Sequence, residues 1–343
     1  MNESPPILTF SECIEIANNS GGNKHLVLGN GFSADLFPNI FNYRVLAERV
    51  TSSRIKRLFS ELQTNDFEYV MRKLTDALQL IRAYSEGVAV ATSIESDLNE
   101  LRNTLIGVIN QSHPANPQAI SAAQYAQCRE FLSNFNEGKK YSFNYDLLLY
   151  WVFMHFLDDR KKILKFDDGF RHPENDQSIV TWEIGREHGQ NVYYIHGAMH
   201  IFRDGGTVEK YTWVNSGKTI SEQVRESINK QKYPVFISEG TTEHKLSRIQ
   251  DCSYLGRSFS SLKSIRGSLF VFGHSIRDED DHVFHYINSQ NTYLKNIFIS
   301  LFGDKQSADN QRVINKVKRW GEEHTDKNYH FYDSASANVW RTQ

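Results

Sequence analysis

Short apolar runs closed by glycine, asparagine or serine constrain this chain more than any other feature. They are Leu26–Leu28, Tyr141–Phe143, Val192–Ile195, Val235–Ile237, Leu269–Phe272, Ile297–Phe302 and His330–Tyr332. Runs this short, without alternating polarity, fit strands buried on both faces of a parallel sheet. Four of them end directly in small or polar residues: Gly29-Asn30-Gly31, Asn144-Tyr145-Asp146, His196-Gly197 and Gly273-His274-Ser275. Open parallel sheets bind ligands beyond the carboxyl ends of their strands. The four segments are therefore expected to converge on one crevice, the place for a nucleotide.

Between the first two runs lies a long helical pattern. Phe67, Val70, Met71, Leu74, Leu78 and Ile81 recur at spacings of three and four, as on one face of an amphipathic helix. Thr92-Ser93-Ile94-Glu95 fits a capping box opening a second helix through Leu98, Leu101, Leu105 and Ile109. His113 to Pro117 breaks the pattern, and a further helix is expected over Gln124 to Phe135. Residues 45–137 are read as a helical insertion within one α/β domain spanning 1–343.

Composition removes several classes. An aromatic share of 13% argues for a folded chain, and a net charge of -2 gives no basic excess for nucleic acid. Cys13, Cys128 and Cys252 are too scattered for a disulfide framework and read as thiols in a reducing compartment. The opening MNESPPILTF lacks the features of a signal peptide, and no apolar run suits a membrane span. A cytoplasmic protein is expected.

Each polar segment has two readings. Gly29-Asn30-Gly31-Phe32-Ser33-Ala34 matches G-x-G-x-x-A after a strand, so it is either a simple strand–helix turn or a pyrophosphate cradle. Glu48 has the spacing of a ribose-binding acid but sits in a helical context, unlike an ordinary dehydrogenase. Asn144 is either a turn residue or an amide for a ribose hydroxyl or water, and Asp146 either fixes its loop or contacts a ribose. His196 is a satisfied core histidine or a general base. His200 gives it a His-x-x-x-His spacing, but the pair straddles a strand end with no intervening glutamate, so zinc is rejected. Gly273-His274-Ser275 is a second nucleotide-binding turn or a nucleophile elbow. The elbow reading would draw on Asp304 and His330, and Arg277 is bulky where such elbows carry glycine.

In this order the motifs resemble the SIR2 superfamily. Gly29 to Ser33 resembles its opening Gly-Ala-Gly-x-Ser loop, and Phe143-Asn144-Tyr145-Asp146 its Thr-x-Asn-x-Asp segment. His196-Gly197 resembles its catalytic His-Gly. Gly273-His274-Ser275 with Asp278 resembles the late Gly-x-Ser-x-x-Asp loop of its bacterial branch. The resemblance spans about residues 24–303 and implies a Rossmann-like parallel sheet flanked by helices. Deacetylating members carry a zinc module of four cysteines in close pairs, which three dispersed cysteines cannot build. The chain is instead similar to the zinc-free SIR2-like NADases of bacterial anti-phage defence.

That resemblance implies an NAD glycohydrolase with NAD as substrate and no metal. Asn144 and His196 would be catalytic, and Gly29, Asn30, Gly31, Phe32, Ser33, Asp146, Gly273, His274, Ser275 and Asp278 would bind the nucleotide. A lethal activity requires an off state, released by a separate sensor protein or by homo-oligomerisation, with no membrane or nucleic-acid partner expected. The competing readings are a non-catalytic NAD or ADP-ribose sensor and a serine hydrolase using Ser275. NAD against NADP, and hydrolysis against cyclisation or transfer, stay open.

Overall fold

The apolar runs pair because each strand has two faces to bury. In β2 (Asn23–Leu28), Leu26 and Leu28 enter one core while Val27 enters the other. In β9 (Gly267–Phe272), Phe270 and Phe272 join Leu26 and Leu28, while Leu269 and Val271 join Val27. Strands covered on both sides lose the alternation of a half-exposed sheet.

The computed structural model describes residues 5–38, 50–63, 67–83, 88–157, 163–174, 179–204, 206–211, 218–230, 232, 234–237, 242–290 and 293–341. Besides β2 and β9, the main sheet contains β1 (Ile7–Leu8), β3 (Lys140–Ser142), β5 (Val192–Tyr194), β10 (Leu294–Leu301) and β11 (Asn328–Asp333). All pairings are parallel, in the order β1-β11-β10-β9-β2-β3-β5. Helices cover both faces, giving the expected Rossmann-like α/β architecture. From β2 the chain builds outward through β3 to β5, whereas β9 to β11 lie on the other side. The strand order therefore reverses between β2 and β9.

A second, antiparallel sheet was not expected. It contains β4 (Val180–Trp182), β6 (Gly197–Asp204), β7 (Thr207–Lys210) and β8 (Pro234–Phe236), in the order β4-β7-β6-β8. The run at Val235–Ile237 is thus a strand, but of this sheet. β6 follows β5 after only Ile195 and His196, beginning at Gly197 with φ 82°, and turns away from the parallel sheet to offer β8 an edge. Three apolar residues carry no information about strand direction, so periodicity could not distinguish the two sheets.

Between β2 and β3 the described residues contain the helices Ser53–Glu61, Phe67–Ile81, Val88–Ser112 and Ala122–Ser133. The first part of the expected insertion, residues 45–49 with Glu48, lies outside the described residues. Thr92–Glu95 does not open a helix. It lies inside Val88–Ser112, where Thr92 and Ser93 hydroxyls donate to the Val88 and Ala89 carbonyls and Glu95 pairs with Arg82. Hydroxyls satisfied within the preceding turn need no cap role. Capping boxes instead start Phe10–Ser20 at Thr9, Ala122–Ser133 at Ser121 and Ile220–Asn229 at Thr219. Among the described residues no helix is long and apolar enough to cross a membrane.

Two buried histidines hold loops against the sheet in neutral form. His25 accepts from the Lys139 N–H through Nδ1 at 2.9 Å, with Nε2 3.0 Å from the Arg266 carbonyl. His113 accepts from the Leu147 N–H through Nε2 at 3.0 Å, with Nδ1 2.9 Å from the Pro114 carbonyl. Burial pushes each down to about 4 from the ordinary 6.5. Below pH 6.5 the unfolded chain takes up protons that the folded chain refuses, so stability is lost progressively toward pH 4. The urea midpoint is expected to fall from pH 7 through pH 5.5 to pH 4.5; a level midpoint over that range would contradict the neutral assignment.

Candidate functional site

The site is built where β2 and β9 end side by side. Gly29 N–H donates to the Phe272 carbonyl at 2.9 Å and Gly31 N–H to the Gly273 carbonyl at 2.8 Å. Gly273 N–H donates to Ser300 Oγ at 2.8 Å, tying in the end of β10. The loops touch through backbone. A Cβ on Gly29 would lie 2.5 Å from the Gly273 carbonyl oxygen, and one on Gly273, at φ +65°, would lie 2.7 Å from Gly31 Cα. These glycines are required by the contact between two loops of the protein itself.

That contact also determines which N–H groups remain for a ligand. Phe32 donates to the Gly29 carbonyl, and Ser33 and Ala34 to the Asn30 carbonyl, as the chain enters the short helix Gly31–Ala34. Phe32 is buried against Trp340, whose Nε1 donates to the Phe32 carbonyl at 2.6 Å. The C-terminal segment thereby closes over the glycine loop. Asn30 is exposed and makes no side-chain cap bond.

Ser33 joins the loop to the end of β3. Its hydroxyl donates to Asp146 Oδ2 at 2.6 Å and accepts from Asn144 Nδ2 at 3.0 Å. Asp146 Oδ1 accepts from Leu148 N–H at 2.9 Å, and Asn144 N–H donates to Ser142 Oγ at 3.1 Å. Burial pushes the Asp146 carboxyl up, against the lowering effect of the Ser33 and Leu148 bonds. His113 contributes through Leu147, so the end of the Val88–Ser112 helix helps to position this segment.

His196 turns into a different cluster. Its Nε2 is 3.1 Å from His282 Nε2 and 4.0 Å from Asp280 Oδ1, and its ring meets the Phe143 edge at 4.6 Å. Asp280 Oδ2 is 3.3 Å from His274 Nε2, and Lys245 Nζ donates to Asp280 Oδ1 at 2.7 Å. Burial pushes His196 well below the ordinary histidine range, so it is neutral at pH 7. Burial opposes charge on Asp280 too, but the His274 bond and the imidazole and Lys245 neighbours hold it well below the usual carboxylate range. Among the described residues, His196, Asp280 and His282 form the group able to offer three metal-ligand atoms within 4.8 Å of one another.

A cavity of about 850 Å³ opens beyond the ends of β2, β9, β10 and β11. Gly31, Gly273, His274 and Ser275 border it, as do Phe302 and Asp304. Arg277, Arg312 and Arg341 share its wall with Asp35, Asp304 and Asp309, Arg341 lying 3.5 Å from Asp35 and Arg312 3.7 Å from Asp309, while Ser334 and Ala335 bring in the segment after β11. Phe302 is 72% exposed, an aromatic face turned to solvent at a strand end.

The expected site residues thus fall into three groups. Gly31, Gly273, His274 and Ser275 border the cavity, with Gly29 packed behind them. Ser33, Asn144 and Asp146 form a buried hydrogen-bonded set, and Phe32 is core. His196 belongs to the His282–Asp280 cluster. Asp278 lies apart from the cavity, its carboxylate exposed and paired with Lys316 at 2.6 Å. Asp280, His282, Lys245, Arg312 and Arg341 were not singled out from sequence, and Arg277 only as a residue too bulky for a nucleophile elbow. The acidic and histidine residues packed into Asp278–His282, just after the Gly273 turn, were the available signal.

An α/β protein with a Rossmann-like parallel sheet and a polar crevice at its switch point is the class that fold and site define. Residues 26–340 match the family described as Domain of unknown function (DUF4917), and the chain belongs to that family. A comparison with curated proteins gave no match. Among solved structures, Sir2Tm bound to a propionylated peptide is similar at 12% identity and a TM-score of 0.34, over 93% of this chain and 100% of that one.

The loop contact gives a direct test. Gly273→Ala must adopt a strained φ and displace Gly31, so it is expected to destabilise the protein, by more than the ~1 kcal/mol that a glycine-to-alanine change at a compatible position would add to stability. Gly303→Ala, with a comparable φ of +69° and open space around its Cβ, is the control for backbone strain alone. Equal losses of urea-determined stability in the two variants would exclude the loop contact as the cause.

Proposed function

We propose that the protein binds NAD in this cavity and hydrolyses the nicotinamide–ribose bond, releasing nicotinamide and ADP-ribose. The observation that carries the reading is the cavity's position. It opens where the strand order reverses, between β2 and β9, beyond the carboxyl ends of parallel strands. Doubly wound sheets hold dinucleotides at such a point.

The phosphate contacts differ from a simple glycine cradle. The Gly29, Gly31 and Gly273 N–H groups have acceptors within the protein. Pyrophosphate binding therefore falls to the turn around His274 and Ser275 and to Arg277 on the cavity wall, with Arg312 and Arg341 joining only by exchanging Asp309 and Asp35 for phosphate. Guanidinium groups suit phosphate oxygens in number and geometry. Asn144 orients the nicotinamide ribose and the attacking water, and Asp146 and Ser33 hold that amide. His196 accepts the proton. Its buried, neutral imidazole has the lone pair a base needs, and such a base contributes roughly 10²–10⁴-fold in rate. The leaving nicotinamide is cationic while bonded and departs neutral, so no strong acid is required.

Neither Asn144 nor His196 borders the cavity, and each is bonded to its own partner. That arrangement fits a resting state. The reading is accordingly a regulated NADase, turned on by a separate sensor or by self-association; its motif resemblance supports a role in anti-phage defence and a cytoplasmic location. The same arrangement favours one second reading, an NAD or ADP-ribose sensor without turnover. The serine hydrolase reading loses ground: Ser275 is exposed at the cavity, while His330 engages Asn296 and stacks on Phe298.

Nicotinamide release, measured for the protein co-expressed with its genomic neighbours, tests the proposal. Asn144→Ala and His196→Ala are each expected to lower the rate by at least ~100-fold while preserving the melting temperature within a few degrees. NAD consumption by the double variant at the parent rate would refute the site. Tight calorimetric binding of NAD with no nicotinamide under any activating condition would establish the sensor instead.

A further inference from the structure

We propose that His196, Asp280 and His282 form a binding site for a divalent transition metal of the zinc class, with one coordination position left open. The inference goes beyond the NAD reading and does not depend on it. Its ligands come from three places that the fold brings together. His196 lies in the turn between β5 and β6, Asp280 ends the short turn Asp278–Asp280, and His282 is the second residue of the helix Asp281–Gln290.

The spacing suits a metal. Zinc bonds imidazole nitrogen at about 2.0–2.1 Å, which separates two tetrahedral donors by roughly 3.4 Å. His196 Nε2 and His282 Nε2 are 3.1 Å apart, so a few tenths of an ångström of opening would admit an ion. Asp280 Oδ1, 4.0 Å from His196 Nε2, closes by a similarly small movement. Two imidazoles and a carboxylate are a donor set used by zinc and by open iron, cobalt and nickel sites. Three protein ligands leave the fourth position for water. The His196 and His282 side chains are buried between the Phe143 and Phe259 rings, which keeps competing solvent away.

The surroundings supply an outer layer and an entrance. His274 contacts Asp280 Oδ2 at 3.3 Å, the kind of second partner that orients a ligating carboxylate. His274 also borders the cavity, and the Asp280 side chain retains 17% exposure, so the cluster is not sealed from solvent. Without metal, one proton lies between the two imidazoles and Lys245 balances the Asp280 charge. An incoming ion replaces that proton and competes with the Lys245 ammonium for Oδ1. Lys245 is thus the group that limits metal affinity. A metal on His196 Nε2 also occupies the lone pair assigned above to the base, making metal binding and NAD hydrolysis mutually exclusive.

The test is titration of the chelator-treated full-length protein with Co²⁺, read by visible absorption, and with Zn²⁺, read by calorimetry. One equivalent is expected to bind with imidazole-ligated Co²⁺ bands. His196→Ala and His282→Ala should weaken binding by more than the roughly 10–100-fold typical of outer-layer losses, and His274→Ala by about that amount. His285→Ala, on the exposed side of the same helix, should bind like the parent. Lys245→Met should tighten binding by removing the competing charge. Absence of one-equivalent binding by the parent overturns the proposal, as does undiminished binding by folded His282→Ala, which would mark adventitious surface coordination. If the histidine variants do not fold, Lys245→Met decides: unchanged or weaker affinity overturns the site. Nicotinamide release plays no part in these readouts, so failure of the NADase reading leaves them intact.

Discussion

The backbone contact between Gly29–Gly31 and Gly273 is the constraint on which the rest of the site depends. It locks the ends of two adjacent parallel strands together with two hydrogen bonds and leaves no room for a Cβ on either side. Because β2 and β9 flank the point where strand order reverses, this contact also forms the inner wall of the cavity. From its two sides the chain diverges. One branch passes through Ser33 to Asn144 and Asp146, the other through His274 to Asp280 and the histidine cluster. A displacement at the glycines would therefore be felt by both polar networks.

The two networks differ in how they manage burial. The Ser33–Asn144–Asp146 set has an acid whose carboxyl is pushed upward, with no cation among the hydrogen-bond partners described for it. Its stability comes from a serine hydroxyl and a backbone N–H aimed at the carboxylate. The His196–His282–Asp280 set instead holds its acid well below the usual carboxylate range, against burial, through the His274 bond and the neighbouring imidazoles, with the Lys245 ammonium at 2.7 Å adding to them. Buried ion pairs of this kind cost desolvation that their attraction only partly offsets. They add little to stability over an apolar replacement, which makes a polar cluster beside a cavity a better candidate for chemistry than for scaffolding.

Much of the architecture was legible because strands covered on both faces leave an unambiguous mark. Leu26–Leu28, Tyr141–Phe143, Leu269–Phe272 and Ile297–Phe302 all mark parallel strands; of the polar residues expected after them, Gly31 and Gly273–Ser275 border the cavity, whereas Asn144 and Asp146 are buried away from it. The antiparallel sheet was hidden for the opposite reason. Val180–Trp182 and Thr207–Lys210 mix threonine, glutamate and lysine with apolar residues, and their partners come from turns that no periodicity encodes. The helix start at Val88 was missed because Thr92 and Ser93 can bond to helical carbonyls as readily as they cap. In the site, residue types were readable but directions were not. Asn144 and His196 stand at the ends of neighbouring strands, yet one side chain turns to Ser33 and the other to His282. A strand's last residue leaves the alternation that dictates direction, so only the tertiary partners decide it.

The glycine motif shows the same separation between pattern and cause. G-x-G-x-x-A after a strand is ordinarily read as a surface that lets phosphate approach backbone. Here the spacing is met, but the neighbour that excludes side chains is another loop of the same chain. Two glycine turns that need each other can be kept for packing whether or not a ligand is present. The features that do face the cavity are different in kind: an exposed Phe302, the Ser275 turn, and Arg277, Arg312 and Arg341. An aromatic face beside several guanidinium groups is complementary to a base joined to phosphates. The cavity wall would make the contacts with the ligand proposed above, and the glycines hold that wall in place at the point where the strand order reverses.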